Sequence, residues 1–113
     1  MNKKQIRNAF RKAVFNRDGH KCRICGTCGS QNDKNLDAHH ITNRKEIENG
    51  GYVLENGITL CKGKKGSGSC HEKAEEAYVV PFNHDDLVGF YEEDLYVIIE
   101  SSKELAIEES KKL

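Results

Sequence analysis

The sequence has 113 residues, of which 36% are hydrophobic and 32% charged, and its formal net charge at pH 7 is zero. A chain of this length forms one small domain with a modest core, which a structural metal would help to stabilise. It has no apolar stretch long enough to span a membrane and no apolar signal-peptide core after its basic N-terminus, so we expect a cytoplasmic location.

The charge is spread unevenly along the chain. Residues 1–25 contain eight Lys or Arg and one Asp, a net charge of +7. Residues 26–71 contain six basic and five acidic residues, and residues 72–113 contain four Lys and twelve acidic residues, giving +1 and −8. The neutral total therefore hides a basic N-terminal segment suited to nucleic acid and an acidic C-terminal third.

An N-terminal helix is predicted over about residues 3–16. Ile6, Phe10 and Val14 recur every four residues and form one apolar stripe, while Asn2 and Gln5 have the spacing of a capping box. Asp18-Gly19 predicts the turn that ends the helix. The polar side of this helix carries cations that we take as candidates for binding nucleic acid, namely Lys4, Arg7 and Arg11.

Two short strands and a second helix are predicted in the middle of the chain. The predicted strands are residues 36–42 and 57–61. Polar loops are predicted at residues 26–35, before the first strand, and at residues 44–51, between the two strands. Ser69 and Glu72 form a capping-box pattern that starts a helix at Cys70-His71, and Pro81 should end it by about Val80. The intervening loop, 62–69, is rich in Gly and Lys, and its Lys64 and Lys65 are further candidates for binding nucleic acid.

The acidic C-terminal part gives weaker signals. Leu87, Phe90 and Tyr91 suit a short helix, and the apolar segment 95–99 fits either a strand or a buried helix. Ser101 with Glu104 predicts the start of a final helix. His20 and His84 belong to no motif, so we expect them at the surface.

Five cysteines in a reducing compartment indicate a metal site rather than disulfides. Zinc prefers four tetrahedral thiolates, and Cys22-x2-Cys25 with the distant pair Cys61 and Cys70 can supply them. Cys25-x2-Cys28 has the same spacing, but Cys22 directly follows the Asp18-Gly19 turn, where a knuckle would begin. We therefore predict a zinc site at Cys22, Cys25, Cys61 and Cys70, with Cys28 as a spare thiol.

A second group of residues has the chemistry of a catalytic metal site. His39 and His40 are adjacent in a predicted strand and so face opposite sides, which allows one to bind a metal and the other to accept a proton. Asn56 precedes the second strand, and His71 lies in the first turn of the following helix. Each also has a structural interpretation: packed strand histidines, a turn asparagine and an alternative zinc ligand.

These motifs, taken in order, resemble the HNH endonuclease family, and its zinc-bound stand-alone branch common in bacteria and phages in particular. They are Arg17-Asp18-Gly19, Cys22-x2-Cys25-Gly26, the segments 36–41 and 56–61, and Cys70-His71, within about residues 9–78. The resemblance implies an α+β fold: a small ββα-metal module with a four-cysteine zinc site, flanked by an N-terminal helix and a C-terminal extension. We expect residues 1–80 to form the nuclease module and residues 81–113 an acidic extension packed on or beside it.

The resemblance also implies a role for each residue in metal-dependent cleavage of DNA phosphodiesters. His40 would be the general base, His39 and His71 would be ligands of a catalytic divalent metal, and Asn56 would hold the loop that aims His40 (in some members it contributes to metal binding). Many relatives have a further His where this chain has Glu75, a carboxylate that suits Mg²⁺ or Mn²⁺, although another transition metal is compatible. Asp37 shares a strand face with His39, and we expect it to be solvated or to support that histidine.

Two other functions fit parts of the sequence. A non-catalytic zinc ribbon could bind DNA through the basic N-terminal helix, but it would need neither His40, Asn56 nor His71. A protein-interaction module could bind a partner protein through the acidic C-terminal part, with or without nuclease activity.

Overall fold

A computed structural model describes residues 2–80 and 85–113. The predicted surface position of His84 and the helix-ending role of Pro81 lie outside this part of the chain. Within it, no helix is both long and apolar enough to cross a membrane.

The N-terminal helix, α1 (Lys3–Arg17), begins at the predicted capping box. The Asn2 side chain accepts a hydrogen bond from the Gln5 backbone N–H, and the Gln5 side chain accepts one from the Asn2 backbone N–H. Phe10, Val14 and Phe15 are buried. Phe10 and Val14 of the predicted apolar stripe therefore pack inward, whereas Ile6, at the start of the stripe, is only half-buried.

Asp18 fastens the end of α1 to the rest of the domain. Its buried carboxylate accepts hydrogen bonds from Arg17 at 2.7 Å, Arg23 at 2.6 Å and the backbone N–H of Thr59 at 2.9 Å. Burial alone would raise the pKa of Asp18, but the two guanidinium groups and Thr59 outweigh it and lower the pKa. An ionised, fully bonded carboxylate thus joins three parts of the chain.

Strands β1 (Leu36–His40) and β2 (Gly57–Cys61) form a two-stranded antiparallel sheet, and helix α2 (Cys70–Val79) follows. The predicted ββα order is confirmed, with His39 opposite Ile58 and His40 opposite Gly57. β1 ends two residues earlier than predicted. The reason is that the chain turns at Thr42, whose backbone N–H donates to the Asn56 side chain instead of to a strand.

The acidic C-terminal part contains a 3-10 turn at Asp85–Leu87 and helices α3 (Glu92–Ile98) and α4 (Lys103–Lys111). Segment 95–99 is thus largely helical, and the cap of α4 is Ser102 rather than the predicted Ser101, whose hydroxyl donates to the Glu55 carbonyl instead. Leu95 and Ala106 belong to the hydrophobic core that includes Ile41 and Ile58. The core therefore continues across residue 80, and the proposed functional division there stays a prediction.

Candidate metal centres and functional site

Four cysteines from three separate parts of the fold lie together. The sulfurs of Cys22, Cys25, Cys61 and Cys70 are all within 4.8 Å of one another, so they can hold a metal ion. Cys61 ends β2 and Cys70 begins α2, while Gly26, at a φ of +78°, allows the tight turn that closes the Cys22–Cys25 knuckle. A metal here would tie the N-terminal knuckle to the strand and helix of the ββα unit.

The four sulfurs can be thiolates together only if a cation neutralises them. Burial raises the pKa of Cys25, but hydrogen bonds from Thr27 outweigh it and lower the pKa to about 6. Burial and the neighbouring sulfurs raise the pKa of Cys70, which is itself buried. Several thiolates at this spacing require a compensating positive charge, and the donor set matches a tetrahedral metal site.

Cys28 lies outside this cluster. Its thiol is exposed, and its backbone forms an isolated bridge with Lys21. Asn35 donates to its carbonyl at 2.9 Å. Cys22 and Cys25 are thus the pair that joins Cys61 and Cys70 in the cluster, whereas Cys28 is a free surface thiol. That the cluster holds zinc stays a prediction.

A second potential metal-binding group combines the end of β1 with the start of α2. One ligand atom each of Asp37, His39 and His71 lies within 4.8 Å of the others. His71 Nε2 is 3.1 Å from Asp37 Oδ2, and the His39 and His71 rings meet edge to face at 5.4 Å. Asp37 and His39 share one face of β1 because strand residues two apart point the same way.

Glu75 lies on the same face of α2 as His71, as expected, but outside the compact group of Asp37, His39 and His71. It lies one turn further along α2 and is largely exposed, with Oε1 3.5 Å from His71 Nδ1. Asp37 takes part in the compact group instead of being a solvated residue, because strand alternation directs it to the same side as His39. Asp37 is the acidic ligand candidate that sequence reasoning underrated, and its i, i+2 spacing to His39 was the available signal.

The electrostatics of this group are consistent with a bound cation. The hydrogen bond that His71 donates to the Asp37 carboxylate raises the pKa of His71, whereas burial lowers the pKa of His39 to about 4. His39 Nε2 is buried and has no hydrogen-bond partner among residues 2–80 and 85–113. A buried unpaired nitrogen beside a carboxylate and an imidazole is the donor chemistry of a transition-metal or Mg²⁺ site, so these residues fit a metal.

His40, the next residue of β1 after His39, lies in an aromatic slot formed by Phe10 and Tyr52. Phe10 stacks on its ring with a centroid distance of 4.4 Å, and Tyr52 meets the ring edge to face at 4.7 Å. Burial, followed by the positive charge of Arg44, lowers the pKa of His40 to about 4. The imidazole is therefore neutral at pH 7, which is the form in which a ring nitrogen can accept a proton, and the lowered pKa makes it a weaker base than a free histidine.

A close approach between α1 and β2 makes this slot possible. Gly57 pairs with His40 across the sheet, and a Cβ atom at Gly57 would lie 2.5 Å from Val14 and 2.8 Å from Phe10. A larger residue would push α1 away from the sheet. Gly57 thus allows Phe10 to reach the His40 ring.

The fully buried side chain of Asn56 forms hydrogen bonds around the turn that follows His40. Its Oδ1 accepts hydrogen bonds from the Thr42 N–H and the Tyr96 hydroxyl, and its Nδ2 donates to the carbonyls of Thr42 and Gly51. All four of its hydrogen-bonding positions are used within the protein. Asn56 therefore holds the turn after His40, and a contact with a metal would require it to give up one of these hydrogen bonds.

One open cavity of about 550 Å³ joins these features, since Asp37, His39, His40, His71 and Glu75 all line it. Of the predicted nucleic-acid-binding residues, Arg7 and Arg11 line it, whereas Lys4, Lys64 and Lys65 are exposed elsewhere. The structure adds two cations that the sequence analysis missed, Arg44 and Lys45. Their position in the loop that follows the strand with both histidines was the signal for them.

The fold and site thus define a small α+β domain with a four-cysteine cluster and a histidine–carboxylate cluster on a ββα unit. The HNH endonuclease family profile matches residues 22–76, which contain both clusters. This segment therefore belongs to the HNH endonuclease family, as its ordered motifs indicated. No curated protein and no solved structure matches the chain significantly.

Proposed function

We propose that this protein is a metal-dependent DNA endonuclease that hydrolyses phosphodiester bonds with His40 as general base. The observation that carries the proposal is the common cavity: a metal-binding group and an uncharged imidazole face the same cation-lined space. A zinc ribbon that only bound DNA would have no need for this pair.

Asp37, His39 and His71 would hold the catalytic ion. A divalent ion, when bound, would stabilise the negative charge that develops on the phosphate and on the leaving oxygen. Asp37 and the two imidazoles would keep the ion at one end of the cavity. This mixed oxygen and nitrogen set is compatible with Mg²⁺, Mn²⁺ or another transition metal.

His40 would remove the proton from the attacking water. Its Nε2 is buried, so Nδ1 is the ring nitrogen that would accept the proton. The water oxygen would then bond to phosphorus as the bond to the leaving oxygen breaks, giving the 5′-phosphate and 3′-hydroxyl that the family resemblance implies. General-base catalysis of this kind contributes about 10²–10⁴-fold to a rate.

The neighbouring residues would position the base and the substrate. Phe10 and Tyr52 restrict the His40 ring, and Asn56 fixes the turn that follows it. Arg7 and Arg44 could contact phosphates on either side of the scissile bond, because counterion release favours such contacts. The four-cysteine site would hold zinc and set the position of His71, which directly follows Cys70.

Incubation of plasmid DNA with purified zinc-loaded protein and a panel of divalent metals tests this proposal. We expect conversion of supercoiled plasmid only when a metal is added. If DNA binds but stays intact with every metal, the protein is a binding module and the catalytic proposal is wrong. Zinc content is measured on the same sample, so that an unfolded preparation is not mistaken for an inactive one.

A further inference from the structure

A second cavity of about 820 Å³ adjoins the one that holds His40. Arg7, Arg44, Lys45 and Tyr52 line both cavities, so the two form one continuous groove along α1. The other residues that line the second cavity do not line the first, namely Lys3, Ile6, Asn49 and Leu113. Its size lies within the range of about 300–1,000 Å³ that is typical of small-molecule sites.

The walls of this second cavity combine two kinds of chemistry. Ile6, Tyr52 and Leu113 give it an apolar and aromatic surface, while the cations around it are Lys3, Arg7, Arg44 and Lys45. None of the side chains that line it, among the residues described, is acidic. Asn49 is already engaged, because its Nδ2 donates to the Ser110 carbonyl at 2.8 Å.

Aromatic and aliphatic surface beside cations is the combination that recognises an unpaired nucleotide. The base packs on the apolar part, and the phosphates on both sides meet the positive charges. The phosphate backbone of an intact duplex would also meet the cations, but its stacked bases could not reach the apolar wall. The cavity therefore has a surface that only a base outside the stack would use.

We propose that this cavity binds one unpaired nucleotide of the DNA strand next to the scissile phosphate, and that the protein prefers substrates with single-stranded DNA at the cut. The inference rests on the proposed function in taking DNA as the substrate. Beyond that function, the inference names the substrate class as DNA with an unpaired nucleotide at the cut. The nucleotide lies next to the scissile phosphate because Arg44 and Tyr52 line both cavities.

The test is a binding titration of zinc-loaded protein in buffer without added divalent metal. The probes are a fluorescein-labelled 15-nucleotide oligothymidine and a blunt duplex of mixed sequence. Variants Ile6→Asn and Lys3→Ala alter residues that line only the second cavity, and Ile6 is outside the hydrophobic core. Lys12→Ala is the matched control, because Lys12 is an exposed lysine of α1 that lines neither cavity.

We expect the single strand to bind more tightly than the duplex, and Ile6→Asn to weaken single-strand binding at least about fivefold with little effect on the duplex. Lys3→Ala should reduce the slope of log K against log salt concentration for the single strand by about 0.7, the value for one lost phosphate contact. Lys12→Ala should match the wild type in single-strand affinity.

Equal or tighter binding of the duplex would overturn the inference, and so would single-strand binding that Ile6→Asn and Lys3→Ala leave unchanged. Because no metal is added, the result does not depend on catalysis. A protein that binds single strands in this way but cuts nothing with any metal would refute the proposed nuclease activity while leaving this binding site in place.

Discussion

Replacing Asn56 with alanine should destabilise the domain more than any single surface change. The side chain is fully buried and bonds the N–H and carbonyl of Thr42 and the carbonyl of Gly51. Asn56→Ala leaves these three backbone groups without their partner, and each buried unpaired group costs about 1–3 kcal/mol. The expected loss is therefore at least about 3 kcal/mol, a large share of the roughly 5–15 kcal/mol that stabilises a small domain.

Urea denaturation at a fixed concentration of free zinc measures this loss. With a slope of about 1.5 kcal/mol/M, a loss of about 3 kcal/mol lowers the unfolding midpoint by about 2 M. Tyr96→Phe provides a graded comparison, because it removes only the hydroxyl that bonds Asn56 and Thr42 and should cost about 1–2 kcal/mol. Asn8→Ala, at an exposed position of α1, is the matched control and should leave the midpoint nearly unchanged.

Two results would refute this reasoning. If Asn56→Ala unfolds at the same urea concentration as Asn8→Ala, the buried hydrogen bonds do not stabilise the turn. If Tyr96→Phe has no effect while Asn56→Ala is destabilised, the hydrogen bond from α3 to Asn56 does not stabilise the turn. The C-terminal helices would then contribute less to the stability of the site than their packing indicates.

Three further predictions concern the two metal sites and the Asp18 carboxylate at the end of α1. Cys28→Ser should keep zinc and circular dichroism intact, whereas serine at one of the clustered cysteines should release zinc and unfold the domain; elemental analysis that finds the reverse would assign the knuckle to the wrong pair. Asp37→Asn should raise the metal concentration required for cleavage by at least about tenfold and Glu75→Gln by less, and the opposite order would make Glu75 the ligand. The pKa of Asp18 is lowered on folding, so its carboxylate stabilises the protein above its unfolded pKa and this contribution is lost as the pH falls through the lower folded value. The stability difference between wild type and Asp18→Asn should therefore be largest near neutral pH and shrink below about pH 4; a difference that is constant with pH would exclude ionisation as the cause.

Local patterns predicted much of the fold. The N-cap patterns at Asn2 and Ser69 predicted the starts of two helices to the residue, since cap geometry depends on neighbours along the chain. The strand limit at Thr42 could not be read in this way, because it results from a hydrogen bond to Asn56, fourteen residues away. The helical state of 95–99 likewise follows from packing of Leu95 in the core rather than from its apolar composition.

Sequence patterns likewise predicted only the part of the candidate site that does not depend on tertiary packing. Paired spacing predicted the four-cysteine cluster, and the ordered motifs indicated the histidines. The aromatic slot formed by Phe10 and Tyr52 was not predicted, since it depends on the approach of α1 across Gly57. The role of Tyr96 was also hidden, because its hydroxyl reaches Asn56 only after the acidic C-terminal part has packed on the core.

The most direct test of the central claim is the single-turnover cleavage rate of His40→Ala. The substrate is an end-labelled DNA with saturating divalent metal, and His20→Asn is the matched control because His20 is an exposed histidine outside the site. We expect His40→Ala to lose at least about 100-fold in rate while its zinc content and DNA affinity stay at the wild-type level, and His20→Asn to cleave normally. Cleavage by His40→Ala within a few-fold of the wild-type rate would contradict the assignment of His40 as the general base.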